Sequence, residues 1–143
     1  MIFPDVNILL YSYDRGSKFH NEAKKWLEDN LSDNEVFFSW HTITGFLRIV
    51  THPSILKDPA PLSEAVQRVS AWLECENTHL ASFEKRNWPL FAKTLVEGQA
   101  TGNLVMDAHV AAMAVSCGAT VASTDRDFTR FPGLRFIDPL AKT

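Results

Sequence analysis

Apolar positions along this chain alternate between two rhythms. Short runs of three to five residues are strand-like: residues 1–4, Val36-Phe37-Phe38, residues 78–82, Ala119-Thr120-Val121-Ala122-Ser123 and residues 134–137. Between them the apolar residues recur at helical spacing. Residues 6–13 predict a first helix, and residues 18–29 a second, with Ser17 as its cap and Phe19, Ala23, Trp26 and Leu27 on one face. Helices are also expected over 42–51, over 62–75 through Leu62, Ala65, Val66, Val69 and Leu73, and over 88–97 with Pro89 in the first turn. The last long helix should run from a cap at Asn103 to Ser116 and stop at Gly118. A helical turn is expected over 128–131. Pro4 cannot donate to a ladder, so the first strand must end there.

Strands and helices that alternate in this way predict a mainly parallel sheet of four to five strands covered on both faces. The chain has 143 residues, and no linker or repeat divides it, so a single domain over 1–143 is expected. Ten Phe and four Trp supply a core; Trp26, Trp40, Trp72 and Trp88 read as core or dimer contacts, with base stacking by Trp40 as the alternative. Cys75 and Cys117 match no metal-binding spacing and read as buried free thiols, which suits a reducing cytoplasm. No secretory signal or membrane-spanning run is visible, so a cytoplasmic location without membrane contact is expected. The net charge of −3 excludes a generally basic nucleic-acid binder.

The chemistry is concentrated in four acids. Asp5 ends the first apolar run, Asp107 lies near the start of the long late helix, and Asp125 and Asp127 follow the fourth strand. In an open α/β sheet such positions meet in the crevice beyond the carboxyl ends of the strands. Carboxylates gathered there repel one another unless a cation sits among them, and hard divalent ions such as Mg2+ and Mn2+ prefer oxygen ligands. A metal site that handles phosphate esters is therefore the first expectation. Each acid also has a plain alternative: Asp5 and Asp125 as helix caps, Asp107 as a partner of the helix dipole, Asp127 as a solvated acid. His41, His52 and His109 read as core or surface residues.

Four ordered blocks resemble the PIN domain, and more narrowly the VapC-type ribonuclease toxins of prokaryotic toxin–antitoxin pairs. They are Pro4-Asp5-Val6-Asn7-Ile8-Leu9-Leu10-Tyr11, Gly45-Phe46-Leu47-Arg48-Ile49-Val50-Thr51-His52-Pro53, Thr101-Gly102-Asn103-Leu104-Val105-Met106-Asp107-Ala108-His109, and Ser123-Thr124-Asp125-Arg126-Asp127-Phe128 with Phe131-Pro132-Gly133-Leu134. The resemblance implies a three-layer α/β/α sandwich and a Mg2+- or Mn2+-dependent endoribonuclease with a cognate antitoxin, an RNA substrate and a homodimeric state. It places catalytic metal ligation on Asp5, Asp107 and Asp125, a fourth acid at Asp127, and supporting roles on Asn7 and Ser123. Arg48 and Arg126 are candidate RNA contacts, or partners for carboxylates.

The chain departs from that pattern at Gly45, where the family usually has a Glu three residues before the arginine matching Arg48. Gly45 could permit close packing, open room for substrate, or mark a degenerate, non-catalytic domain that binds antitoxin or RNA. A phospho-accepting domain or phosphatase is disfavoured, because Val6-Asn7 follows Asp5 where one such family needs D-x-D-G-T, and no lysine follows a late strand as a receiver domain requires.

Overall fold

A computed structural model describes residues 1–142; Thr143, the last residue of the expected 1–143 domain, lies outside the described residues. Five strands form one sheet: β1 (Ile2–Pro4), β2 (Val36–Phe38), β3 (Thr78–Leu80), β4 (Thr120–Ala122) and β5 (Phe136–Ile137). Their order is β3-β2-β1-β4-β5, and every pairing is parallel. Six helices connect them: α1 (Val6–Tyr13), α2 (His20–Asp33), α3 (Trp40–Val50), α4 (Leu62–Glu74), α5 (Trp88–Glu97) and α6 (Leu104–Cys117).

The register explains the layers. Phe3 lies opposite Val121, and Val121 opposite Phe136, so these side chains share a face. That face packs under α5 and α6, with Ala108, Ala111, Val110 and Phe128 in one buried cluster. Val36 and Phe38 point the other way, into a cluster with Leu9, Leu27, Ile43, Phe46 and Trp72 from α1 to α4. Phe38 stacks on Trp72 at 5.7 Å between ring centroids. The architecture is thus the expected three-layer α/β/α sandwich, with a sheet that is wholly parallel.

Chain order turns back between β1 and β4. From β1 the chain steps outward to β2 and β3; it then crosses to β4 and steps outward to β5. Right-handed crossovers place helices on opposite faces when the direction reverses. The carboxyl ends of β1 and β4 therefore border a crevice that no connection covers, which is where open α/β sheets place ligands.

Several local expectations needed correction. α3 begins two residues early because Ser39 and Thr42 form a reciprocal capping box. Asn103 does not cap α6 through its side chain, and its own backbone is helical. α2 starts at His20, and Ser17 instead accepts from Phe19 N–H at 3.1 Å, in the turn before it. In α4 the buried positions are Ala65, Val69 and Trp72, whereas Leu62, Val66 and Leu73 are exposed. The indole of Trp72 reaches Phe38 and Phe46 and turns that stripe inward. Trp40 and Trp88 are exposed rather than core. Both cysteines are free, as expected, but half-buried rather than buried. Gly118 ends α6 in the left-handed conformation at φ 69°.

Candidate metal centre

Asp5 leaves β1 as its last pairing ends: its N–H donates to the Ala122 carbonyl at 2.9 Å, which ties the ends of β1 and β4 together. Its side chain caps α1, with Oδ1 accepting from Val6 N–H at 2.8 Å. The capping reading and the site reading of Asp5 therefore describe the same carboxylate. Oδ2 accepts from the Ser123 hydroxyl at 2.9 Å.

Ser123 is the hub of the site. It is fully buried at the end of β4. Besides donating to Asp5, its Oγ accepts from Asn7 Nδ2 at 2.9 Å and from Asp125 N–H at 3.0 Å. Asn7 completes the circuit, its Oδ1 accepting from Thr124 N–H at 3.4 Å. One hydroxyl thus fixes Asp5, Asn7 and the backbone of Asp125, with its single proton committed to the carboxylate. Among the described residues no buried side-chain nitrogen or oxygen lacks a partner.

Asp125 caps the short 3-10 turn Arg126–Arg130, its Oδ1 accepting from Asp127 N–H at 2.9 Å. Phe128, buried in the same turn, anchors it to the core. Asp107 sits in the first turn of α6, the helix whose far side is buried through Ala108, Val110, Ala111, Ala112, Met113 and Ala114. One oxygen from each of Asp107, Asp125 and Asp127 can lie within 4.8 Å of the others. Asp5 is outside that set but close enough for its charge to act on Asp107.

The electrostatics follow from that crowding. Burial, and then the charges of Asp125, Asp5 and Asp127, push the Asp107 carboxyl up to about 6, with only Arg130 opposing. Burial also raises Asp5, against the Val6 and Ser123 hydrogen bonds that favour its ionised form, and Asp125 adds to the rise. Such a site stores unfavourable charge that a divalent cation relieves. The donor set is all carboxylate oxygen, which suits Mg2+ or Mn2+.

Two features were not visible in the sequence. Arg130 donates to the carbonyls of Gly98 and Gln99, at 3.2 and 3.4 Å. It pins the turn between α5 and α6, where Gln99 adopts φ 49°, and sets a guanidinium near Asp107. His109 is half-buried in an aromatic cluster. It stacks on Phe91, contacts Phe83 and meets His41 edge-on at 5.4 Å. Burial lowers both imidazoles, which favours their neutral forms.

Gly45 has a packing reason. A Cβ there would meet Val6 Cγ2 at 2.9 Å, so α1 and α3 approach each other through the missing side chain. A glutamate could not be restored at this position without displacing Val6. Beside this contact a groove of about 410 Å³ opens between α1, α3 and the start of α6. Arg48 lines it, and both Arg48 and Arg126 are exposed. Among the described residues neither arginine pairs with a carboxylate.

The PIN domain family model matches residues 2–134. Ribonuclease VapC37 of Mycobacterium tuberculosis is 35% identical over 138 residues, covering 96% of each chain. Ribonuclease VapC33 of the same species is 32% identical over 141 residues, covering 98% of this chain and 99% of its own. Among solved structures, VapBC2 of Rickettsia felis bound to a promoter DNA fragment superposes with a TM-score of 0.70 at 18% identity, covering 96% of this chain and 98% of that one. Mycobacterium tuberculosis VapC20, described as a sarcin-ricin loop cleaving toxin, gives 0.67 at 18% identity, covering 94% and 99%. At those identities the structural likeness speaks for the fold alone.

Proposed function

The chain belongs to the PIN domain family, alongside the VapC ribonucleases it resembles, and from that premise we propose that it is a divalent-metal-dependent endoribonuclease, the toxin of a pair with a cognate antitoxin. The observation that carries this reading is the convergence of Asp107, Asp125 and Asp127 within 4.8 Å at the switch point of the sheet, with Asp5 held beside them by Ser123. Asp107, Asp125 and Asp127 would hold the ion, and Asp5 would complete its surroundings directly or through water. Mg2+ or Mn2+ so bound supplies positive charge for a phosphodiester and lowers the pKa of water.

The protein's own part is orientation. Ser123 and Asn7 hold Asp5 and the Asp125 backbone in place before substrate arrives, so little reorganisation remains at the reacting centre. The buried side of α6 fixes Asp107, and Arg130 fixes the turn that precedes it. Arg126, exposed at the start of the 3-10 turn, and Arg48, exposed in the groove, would contact RNA phosphates. RNA is the proposed substrate, a homodimer the proposed assembly and the cytoplasm the proposed location; among the described residues no helix is long and apolar enough to cross a membrane.

Gly45 keeps a second reading in view, a domain that binds RNA or antitoxin without cutting. Val6 stands at the Cβ position of Gly45, so a further acid there would have to displace that side chain. Purified protein incubated with structured and unstructured RNA, with Mg2+ or Mn2+ and with excess chelator, separates the two. Metal-dependent cleavage that Asp107→Asn abolishes supports the nuclease. RNA or antitoxin binding without cleavage under any metal would establish the second reading.

A further inference from the structure

The groove beside the carboxylates has the chemistry of a nucleotide subsite. Its edges include Val6 and Met106, the chain neighbours of Asp5 and Asp107, so it lies beside the acidic cluster although none of the four acids lines it. Along α3 it is lined by His41, Thr44, Gly45, Arg48 and Ile49. That is the i, i+3, i+4, i+7, i+8 face of one helix. From His41 to Arg48 it runs about 10 Å along the helix axis, a length suited to a nucleoside and its adjoining phosphate.

The lining is ordered by chemistry. Gly45, Val6, Ile49 and Met106 offer apolar surface against which a flat base can lie, the Val6 side chain filling the place where a Gly45 side chain would stand. His41 supplies a hydrogen-bonding edge, and Thr44, whose hydroxyl proton goes to the Trp40 carbonyl at 2.6 Å, supplies an acceptor. Arg48 is exposed in the groove, without a carboxylate partner among the described residues, on a protein whose net charge is −3. His41 is held in orientation by its edge-on contact with His109, itself packed between Phe83 and Phe91. Single-stranded RNA is recognised by this combination: a surface for an unstacked base, donors and acceptors at its edge, and a cation for the backbone.

We propose that this groove binds the nucleotide adjoining the scissile phosphate, with the base over Gly45 and Met106, its edge read by His41 and Thr44, and the next phosphate held by Arg48. The inference rests on the ribonuclease reading for the position of the scissile phosphate, and it makes α3 the element that determines sequence preference. The cleft of about 690 Å³ lined by Arg15, Lys24, Lys57 and Arg68 is a poorer candidate. Asp14, Asp58 and Glu64 line it too, and Glu64 already accepts the Tyr13 hydroxyl.

The test uses a 4-thiouridine-substituted single-stranded oligonucleotide bound to full-length Asp107→Asn protein, which keeps the RNA intact. Photocrosslinks within residues 40–49 and at 105–106 are expected. Crosslinks confined to residues 12–24 and 55–68 would overturn the subsite and leave the proposed chemistry untouched. In the cleaving enzyme, His41→Ala and Arg48→Ala should each raise KM by about tenfold while kcat changes less than about threefold, and Arg48→Lys should recover part of the loss. KM unchanged in both would overturn the subsite and leave the groove to a peptide such as an antitoxin segment. If the wild type cuts no RNA, the ribonuclease reading falls, and crosslinking alone still decides whether the groove binds nucleotide.

Discussion

The Ser123 hydroxyl donates to Asp5 Oδ2 at 2.9 Å, joining two residues 118 positions apart in the chain. The bond closes the seam between β1 and β4 at the point where the sheet reverses its order. The same oxygen receives Asn7 Nδ2 and Asp125 N–H, so one buried group positions three parts of the acidic site.

Ser123→Ala should therefore be costly out of proportion to its size. It leaves Asn7 Nδ2, Asp125 N–H and Asp5 Oδ2 each short of a partner. Urea unfolding should show a loss of about 1–3 kcal/mol. Metal affinity should fall as well, because Asp5 and Asp125 lose their common anchor. A stability change within error of zero would remove Ser123 from the centre of the network.

Asp107→Asn should reduce RNA cleavage by at least about a hundredfold, since the substitution keeps the shape and removes the charge that binds the ion. Without metal the variant should be as stable as the wild type, or more so by up to about 1 kcal/mol after solvent screening, because it relieves repulsion from Asp125, Asp5 and Asp127. Thermal unfolding in chelator and a cleavage assay on the same preparation check both halves.

Proton linkage at Asp107 has a definite sign. Its carboxyl titrates near 6 in the folded protein, above the ordinary carboxylate range. The folded form therefore holds the proton more tightly than the unfolded chain. In metal-free protein the associated stability should be full below about pH 4 and be lost as the pH rises through about 6. Metal binding requires the ionised carboxylate, so affinity for Mn2+ should weaken as the pH drops below about 6. Calorimetry at pH 5.5 in two buffers of different ionisation enthalpy should detect proton release on Mn2+ binding, and Asp107→Asn should abolish most of it.

Asp127 lies with Asp107 and Asp125 in the group whose oxygens approach within 4.8 Å, although it is exposed. Asp127→Asn should weaken Mn2+ binding by about tenfold, near the loss expected for one coordinating or water-bridged carboxylate. A variant that matches the wild type in titration and cleavage would show Asp127 to be a solvated acid.

The contact between Gly45 and Val6 predicts a reversal of the usual helix rule. Alanine should favour an α-helix over glycine by about 1 kcal/mol. Gly45→Ala should instead destabilise by about 1–2 kcal/mol, because its Cβ meets the stiff Val6 side chain at 2.9 Å. Val6→Ala should relieve the clash, so the double mutant should recover most of the loss. Additive effects in that cycle would mean that the two residues do not limit each other's packing.

Much of this protein could be read along the chain. Strand runs at Ile2–Pro4 and Val36–Phe38, helical spacing over Trp88–Glu97 and the stop at Gly118 are local signals, set by the period of the backbone and by what each residue tolerates in φ. The order of those elements was enough to imply a parallel sheet, and with it a common edge for Asp5, Asp107 and Asp125. The tertiary structure decided what depends on distance between remote segments. It made Ser123 a hub for Asp5, Asn7 and Asp125, brought Arg130 to the turn before Asp107, and set Asp127 rather than Asp5 among the mutually closest oxygens. It also chose the buried stripe of α4, through the reach of the Trp72 indole, and gave Gly45 its meaning through Val6. Periodicity fixes which face a residue occupies on its own element; packing between elements fixes what that face meets.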